Sequence, residues 1–250
     1  MIIHPIKTRA LIPPKDDLLD AIRRSITSIK EETVLVITSK VVSIHQGRCV
    51  PMRAAPDKDA LIIQEAEKYL PRDVVPGKWI MHTIKEKIFI PTAGIDESNA
   101  NEHYILWPEH PRKTAYDLWK ELRNIYGIKK FGVIITDSHT IPLRRGVVGI
   151  ALAFYGFNPL KDYRGTADIF GRTMQITLLD IVDSIATAAV AVMGEGNECT
   201  PLATVQDNPL VFFEHTVSID DCYRELDIDE KEDLYYPFLS SVPWQKGGSQ

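Results

Sequence analysis

Phe131-Gly132-Val133-Ile134-Ile135-Thr136-Asp137-Ser138 reads as a strand that delivers polar groups at its C-terminal end. Its β-branched residues suit a pleated, buried surface. A second run, Thr33-Val34-Leu35-Val36-Ile37-Thr38-Ser39, has the same character and leads into Lys40-Val41-Val42-Ser43 and a turn at Gly47. Around these two strands the apolar spacing predicts helices. Leu18, Leu19, Ile22 and Ile26 share a face over residues 16–29, and a second helix covers 58–69. Ala115, Leu118, Trp119 and Leu122 align over 112–126. The longest helix is expected over 172–193, closed by Gly194 in a left-handed cap. Alternation predicts paired short strands over 79–91. Residues 146–157 read as a glycine-punctuated strand in close contact with other backbone. Further short strands are expected over 202–205 and 210–215. Residues 93–101 and 162–171 are polar loops by composition. Strands and helices mix without regular alternation, so the fold class is α+β with a mixed sheet. One domain is expected over residues 1–240, with room for two subdomains, and a disordered tail over 241–250.

The chain has 250 residues and a formal net charge of −5, which disfavours general binding to nucleic acid or to anionic membrane surfaces. Cys49, Cys199 and Cys222 are three, far apart and without C-x-x-C spacing. That argues against a disulfide framework or a thiolate zinc site and for a reducing compartment. The N-terminus lacks a charged segment followed by an apolar core, so no signal peptide is read and a cytoplasmic protein is expected. Residues 176–193 are apolar but interrupted by Asp180, Asp183, Ser184 and Thr187, which excludes a membrane span.

Three acidic loops could carry chemistry: Asp96-Glu97-Ser98-Asn99, Thr136-Asp137-Ser138, and Gly194-Glu195-Gly196-Asn197-Glu198. Carboxylate, hydroxyl and amide oxygens are the ligands that Mg²⁺ and Mn²⁺ prefer, although such loops also serve as caps and turns. Arginines and glycines gather at Arg144-Arg145-Gly146, Asp162-Tyr163-Arg164-Gly165 and Asp168 with Gly171-Arg172. They suit two-pronged binding of carboxylate or phosphate, or a surface ion-pair network. On the expected long helix Asp180, Asp183, Ser184 and Thr187 form one stripe, facing either a site or solvent. There is no Walker loop, no G-x-G-x-x-G, no G-x-S-x-G and no H-E-x-x-H.

Taken in order, several blocks resemble the coenzyme F-420-0:γ-glutamyl ligase family. They are Thr38-Ser39-Lys40-Val41-Val42-Ser43; Ala93-Gly94-Ile95-Asp96-Glu97-Ser98-Asn99; Ile134-Ile135-Thr136-Asp137-Ser138 with Pro142-Leu143-Arg144-Arg145-Gly146; Asp162-Tyr163-Arg164-Gly165 with Asp168 and Gly171-Arg172; and Val192-Met193-Gly194-Glu195. The resemblance covers roughly residues 10–205. It implies an intertwined homodimer of the family's own α+β fold. The implied enzyme adds L-glutamate to a carboxylate-bearing deazaflavin precursor, using GTP or ATP. Two Mg²⁺ or Mn²⁺ ions are implied, with K⁺ as a further candidate ion. By the same resemblance Asp96 and Asp137 would ligate one metal, and Ser138 and Glu195 the other. Leu11, Ile12, Pro13, Pro14, Ser39, Lys40 and Asn99 would line the nucleotide, with Gly194, Gly196, Asn197 and Glu198 on its phosphate side. Arg144, Arg164, Asp168 and Arg172 would hold substrate carboxylates or the site scaffold.

Two stretches depart from the family pattern. Ile44-His45-Gln46-Gly47 stands where the family usually has a nucleotide-contacting lysine, and His139-Thr140-Ile141 where it usually has Gly-Arg. Folate, whose tail also carries γ-linked glutamate, is therefore the alternative acceptor. Other readings on the same residues are a nucleotide-binding protein with a different metal-dependent phosphoryl transfer, or one with a decayed, non-catalytic site. The expected reaction runs through an acyl phosphate, because a free carboxylate is a poor electrophile.

Overall fold

The computed structural model describes residues 1–55, 57–213 and 218–249. In chain order the strands are β1 (Ile2–Ile6), β2 (Thr33–Thr38), β3 (Cys49–Pro51), β4 (Lys68–Leu70), β5 (His82–Lys85), β6 (Ile88–Pro91), β7 (His103–Ile105), β8 (Phe131–Thr140), β9 (Val147–Tyr155), β10 (Leu160–Asp162), β11 (Leu178–Asp180), β12 (Leu202–Gln206) and β13 (Gln245–Lys246). The helices are α1 (Leu18–Ser25), α2 (Ser39–Gln46), α3 (Lys58–Glu65), α4 (Pro111–Tyr126), α5 (Ile181–Met193), α6 (Ile219–Arg224) and α7 (Tyr236–Leu239). The two runs that opened the sequence reading are β2 and β8. They pair in parallel, Thr33 against Phe131 and Thr38 against Thr136.

They are neighbours in a five-stranded sheet of order β1-β12-β2-β8-β9, whose other pairings are antiparallel. The expected mixed α+β architecture is what forms. Both faces of β2 and β8 are covered, which explains their unbroken apolar runs. Leu35, Ile37, Val133 and Ile135 face a core that includes Leu18 and Ile22 of α1 and Ala115, Leu118, Trp119 and Leu122 of α4. Val34, Val36 and Ile134 face the other core, built on Ile181, Val182, Ile185, Ala186 and Ala189 of α5. A four-stranded sheet, β13-β4-β5-β6, and the pair β3-β7 form a smaller layer on the first side.

Local chemistry sets most boundaries. Asp17 caps α1 by accepting from the backbone N–H of Leu19 and Asp20, and Gly127 ends α4 in the left-handed conformation at φ 65°. The expected helix over 58–69 stops at Glu65, because residues 68–70 pair instead with β5. The predicted strand over 210–215 is reduced to one bridge, Phe213 with Phe157, and its last two residues lie outside the described ones.

The long helix over 172–193 does not form as predicted. Asp180 accepts from the N–H of Asp183 and caps a helix of 13 residues, so α4, with 16, is longer. Residues 160–180 form a projecting β-arm instead: β10 pairs with β11, and the N–H groups of Tyr163, Gly165 and Asp168 bond to the carbonyls of Thr177, Met174 and Arg172. The i, i+3, i+4 spacing that suggested a helical stripe at Asp180 is also the spacing of a capping residue. Gly194 has φ 80° but ψ 170°, a glycine-only extended conformation rather than the expected left-handed cap. The tail is docked where disorder was expected: β13 pairs with β4, and the N–H groups of Gly247, Gly248 and Ser249 bond to the carbonyls of Glu67, Ile63 and Ala66.

Candidate active site

Because β2 and β8 run in parallel, their C-terminal ends lie side by side and release Ser39, Lys40, Asp137 and Ser138 at one edge of the sheet. Two loops meet them there. One carries Asp96 and Asn99, and the other is the 194–198 turn that follows α5. Together with residues 8–11 they line a cleft of about 330 Å³. Asn99 Nδ2 donates to the Gly196 carbonyl at 2.8 Å, which ties the two loops across the cleft. Glu198 folds back to accept from the Gly196 N–H at 2.8 Å and sets the turn.

The cleft is electrostatically uneven. Lys40 Nζ lies 2.7 Å from Asp96 Oδ2 and 2.8 Å from the Ser98 carbonyl. Burial pushes the Asp96 carboxyl up, but the Lys40 ammonium and the Ser98 donors outweigh it and hold the group below the usual carboxylate range. Among the described residues Asp137 has no such cation. Trp107 Nε1 donates to its Oδ2, and the Ser138 N–H donates to its Oδ1 at 2.9 Å. Burial, with added repulsion from Asp96 and Glu195, pushes Asp137 up to about 7. Glu195 is raised as well, chiefly by burial, against the pull of Lys40.

Among the described residues no three His, Cys, Asp or Glu side chains are gathered closely enough to hold a metal by themselves. The donor set nevertheless suits hard divalent cations. It consists of the carboxylates Asp96, Asp137 and Glu195 and the hydroxyl of Ser138, all on one cleft. Asp96 repels both Asp137 and Glu195, and bound positive charge would relieve that repulsion.

Of the residues expected at a nucleotide, Leu11, Ser39, Lys40, Asn99, Gly194, Gly196, Asn197 and Glu198 line this cleft. Ile12, Pro13 and Pro14 do not. Ile12 is turned outward, and a cis bond joins Pro13 to Pro14. Arg144, Arg164, Asp168 and Arg172 also lie away from it. Arg144 is on the exposed β8–β9 turn, Arg164 pairs with Asp162 at 2.8 Å, and Asp168 accepts from the Phe170 and Arg172 N–H groups inside the arm. In the Asp183 stripe, Ser184 is exposed, while Asp183 and Thr187 face β9 rather than the cleft. Asp183 Oδ1 accepts from the Ala151 N–H at 2.7 Å, and Thr187 donates to the Gly149 carbonyl at 2.7 Å, so both fasten α5 to β9.

Sequence reading missed Thr8, Arg9 and Trp107. Arg9 lines the cleft and is gripped by Asp16 at 2.6 and 2.7 Å. It lies only two residues before Leu11, so the signal there was displaced. Trp107 carried none, because its partner Asp137 is 30 residues away. Ile44, at the lysine position noted above, is 2% exposed and joins the core beneath the cleft.

Residues 6–207 match the profile of the family described as F420-0:Gamma-glutamyl ligase. The chain is 34% identical to the Coenzyme F420:L-glutamate ligase of Methanopyrus kandleri over 80% of its length and 84% of that protein. It is 30% identical to the Methanococcus maripaludis protein of the same name, over 90% and 93% of the two chains. A third such protein, from Archaeoglobus fulgidus, is 30% identical over 82% and 86%. No helix among the described residues is long and apolar enough to cross a membrane. With Ser39, Lys40, Asp96, Asn99, Asp137, Ser138 and Glu195 of the matched stretch on one cleft, a match over four-fifths of the chain means that the chain belongs to the F420-0:γ-glutamyl ligase family and is a ligase.

Proposed function

We propose that the cleft joins the amine of L-glutamate to the terminal carboxylate of the coenzyme F420 precursor, driven by cleavage of GTP or ATP. The observation that carries this reading is the convergence of Asp96, Asp137, Ser138 and Glu195 with Lys40 and the 194–198 loop on one cleft. Divalent cations, Mg²⁺ or Mn²⁺, would neutralise phosphate oxygens and align the transfer when bound. Asp96, Asp137, Ser138 and Glu195 would hold them. Lys40 and Arg9 supply positive charge at the cleft for phosphate or carboxylate. The residues otherwise act by positioning. The γ-phosphoryl group passes to an acceptor carboxylate oxygen, giving an acyl phosphate and the nucleoside diphosphate. The glutamate amine then attacks the carbonyl carbon, inorganic phosphate leaves, and the amine loses a proton.

The reading is tested with Mn²⁺ or Mg²⁺, each nucleotide, labelled glutamate, and either the F420 precursor or tetrahydrofolate. Mass spectrometry should show a glutamyl adduct on the F420 precursor that requires every component. An adduct on the folate alone would move the acceptor. Nucleotide cleavage that ignores both glutamate and acceptor would make the chain a hydrolase and overturn the reading.

A homodimer belongs to the same proposal. The arm of residues 160–180 ends in exposed apolar side chains, Ile169 at 92%, Phe170 at 88% and Ile176 at 87%. Leu143 on the β8–β9 turn is also fully exposed. Since Arg144, Arg164 and Arg172 sit on these same projections, they would reach substrate in the cleft of a second copy.

A further inference from the structure

β8 continues past Asp137, and His139 is the next residue on the same strand face, about 7 Å further along at the usual rise per residue. His139 belongs to a group of four rings that meet on Phe89. Phe89 of β6 meets His139 edge-on at a centroid distance of 6.4 Å. On Phe89 lie His82, tilted at 5.2 Å, and Trp244, edge-on at 6.2 Å. All four rings are only half-buried. They are therefore not simply the centre of a core. Two ring nitrogens, Nδ1 of His82 and Nδ1 of His139, are buried with no hydrogen-bond partner among the described residues. Such atoms are rare in folded proteins, and here they sit at the two ends of the group of rings that meets on Phe89.

Trp244 is brought here by the segment beyond the stretch that matches the family. That segment is fastened at several points. Tyr223 accepts from the Phe154 N–H, Arg112 and Lys87 pair with Asp227, Lys68 pairs with Glu230, and β13 adds to β4. Trp244 Nε1 is used internally, donating to the Leu239 carbonyl at 2.7 Å, so its ring is held in place.

We propose that His139, Phe89, His82 and Trp244 form an aromatic platform that receives the planar head of the acceptor while its tail carboxylate enters the cleft that Asp137 lines. This rests on the ligase reading above. The exposed parts of these rings offer edges and faces for stacking against a heteroaromatic ring. An acceptor with a planar head and a carboxylate tail fits a ring cluster that begins two residues along β8 from Asp137.

The test uses the full chain with Trp244→Leu, Trp244→Phe and Phe89→Leu, each checked for an unchanged melting temperature. Losing one stacking ring should raise KM for the F420 precursor about tenfold. KM for nucleotide and glutamate should not move, and Trp244→Phe, which keeps a ring, should restore the acceptor KM. A folded Trp244→Leu and Phe89→Leu with wild-type acceptor KM would overturn the platform and leave the ligase reading standing. Fluorescence gives a second readout that needs no turnover. The F420 precursor should quench wild-type tryptophan emission more than that of Trp244→Phe. Equal quenching in the two would also overturn the platform. A wild-type protein that forms no glutamyl adduct but shows the Trp244-specific quench would instead sink the reaction and keep the binding site.

Discussion

Asp137 is the residue on which the cleft is most sharply poised. Its carboxyl has one indole N–H and one backbone N–H for partners, two carboxylates for neighbours, and, among the described residues, no cation bonded to it. Asp137→Asn keeps an oxygen for Trp107 and removes the charge. Turnover should fall on the order of a hundred-fold or more, the scale of losing one charge-stabilising group. Circular dichroism and the melting temperature should stay at wild type or rise, since a buried like-charge repulsion is removed. Normal glutamyl-adduct formation by Asp137→Asn would sink the assignment. Lys40 and Asp96 illustrate how residue type was legible and pairing was not. Both stood out in the sequence, yet their 2.7 Å contact joins the start of α2 to a loop more than 50 residues away.

At the scale of elements, the contact of α5 with β9 organises the site, because the turn carrying Glu195 leaves the end of that helix. Gly149 permits the approach. A Cβ built there would lie 2.4 Å from the Ala186 carbonyl oxygen, which is backbone and cannot yield cheaply. Gly149→Val should therefore destabilise the fold by about 1–3 kcal/mol, the range for overpacking, as read by urea denaturation. Asp183 fastens the start of the same helix. Burial, followed by the nearby Asp180, pushes its carboxyl up to about 7 from 3.8. The native state thus holds a proton that the unfolded chain has released, between those two values. The associated stability is full below about 3.8 and is lost as pH rises through about 7. Asp183→Asn keeps an acceptor for the Ala151 N–H and has no proton to lose. Urea midpoints measured from pH 5 to 8.5 should decline less for the variant than for wild type. Parallel curves would refute the placement of that charge. This helix start is also where sequence reading failed: residues 172–180 had helical spacing, but β11 found a partner in β10.

For the whole molecule, the exposed arm and the arginines absent from the cleft form one question. If a second copy completes each site, Arg164→Ala and Asp137→Asn should each be nearly inactive alone. Mixed after co-expression, they should recover glutamyl-adduct formation, because one cleft of each mixed dimer has both groups intact. No recovery, in a preparation shown by analytical ultracentrifugation to be dimeric, would refute supply of Arg164 by the partner. Phe170→Glu should shift the sedimentation coefficient to that of a monomer, since it places a charge in an apolar contact.

What the sequence by itself determined is local. β-branched runs made β2 and β8, an N-terminal cap started α1, a glycine ended α4, and the oxygen-rich loops announced themselves by composition, because each depends on a few neighbouring residues. What only the tertiary structure decided is which distant groups meet. Asn99 bonds to Gly196 across 97 residues, Trp107 finds Asp137, and Trp244 returns from the far end of the chain to Phe89. Such contacts follow from the parallel register of two strands and the closure of long loops, and a sequence shows neither in the order of its residues.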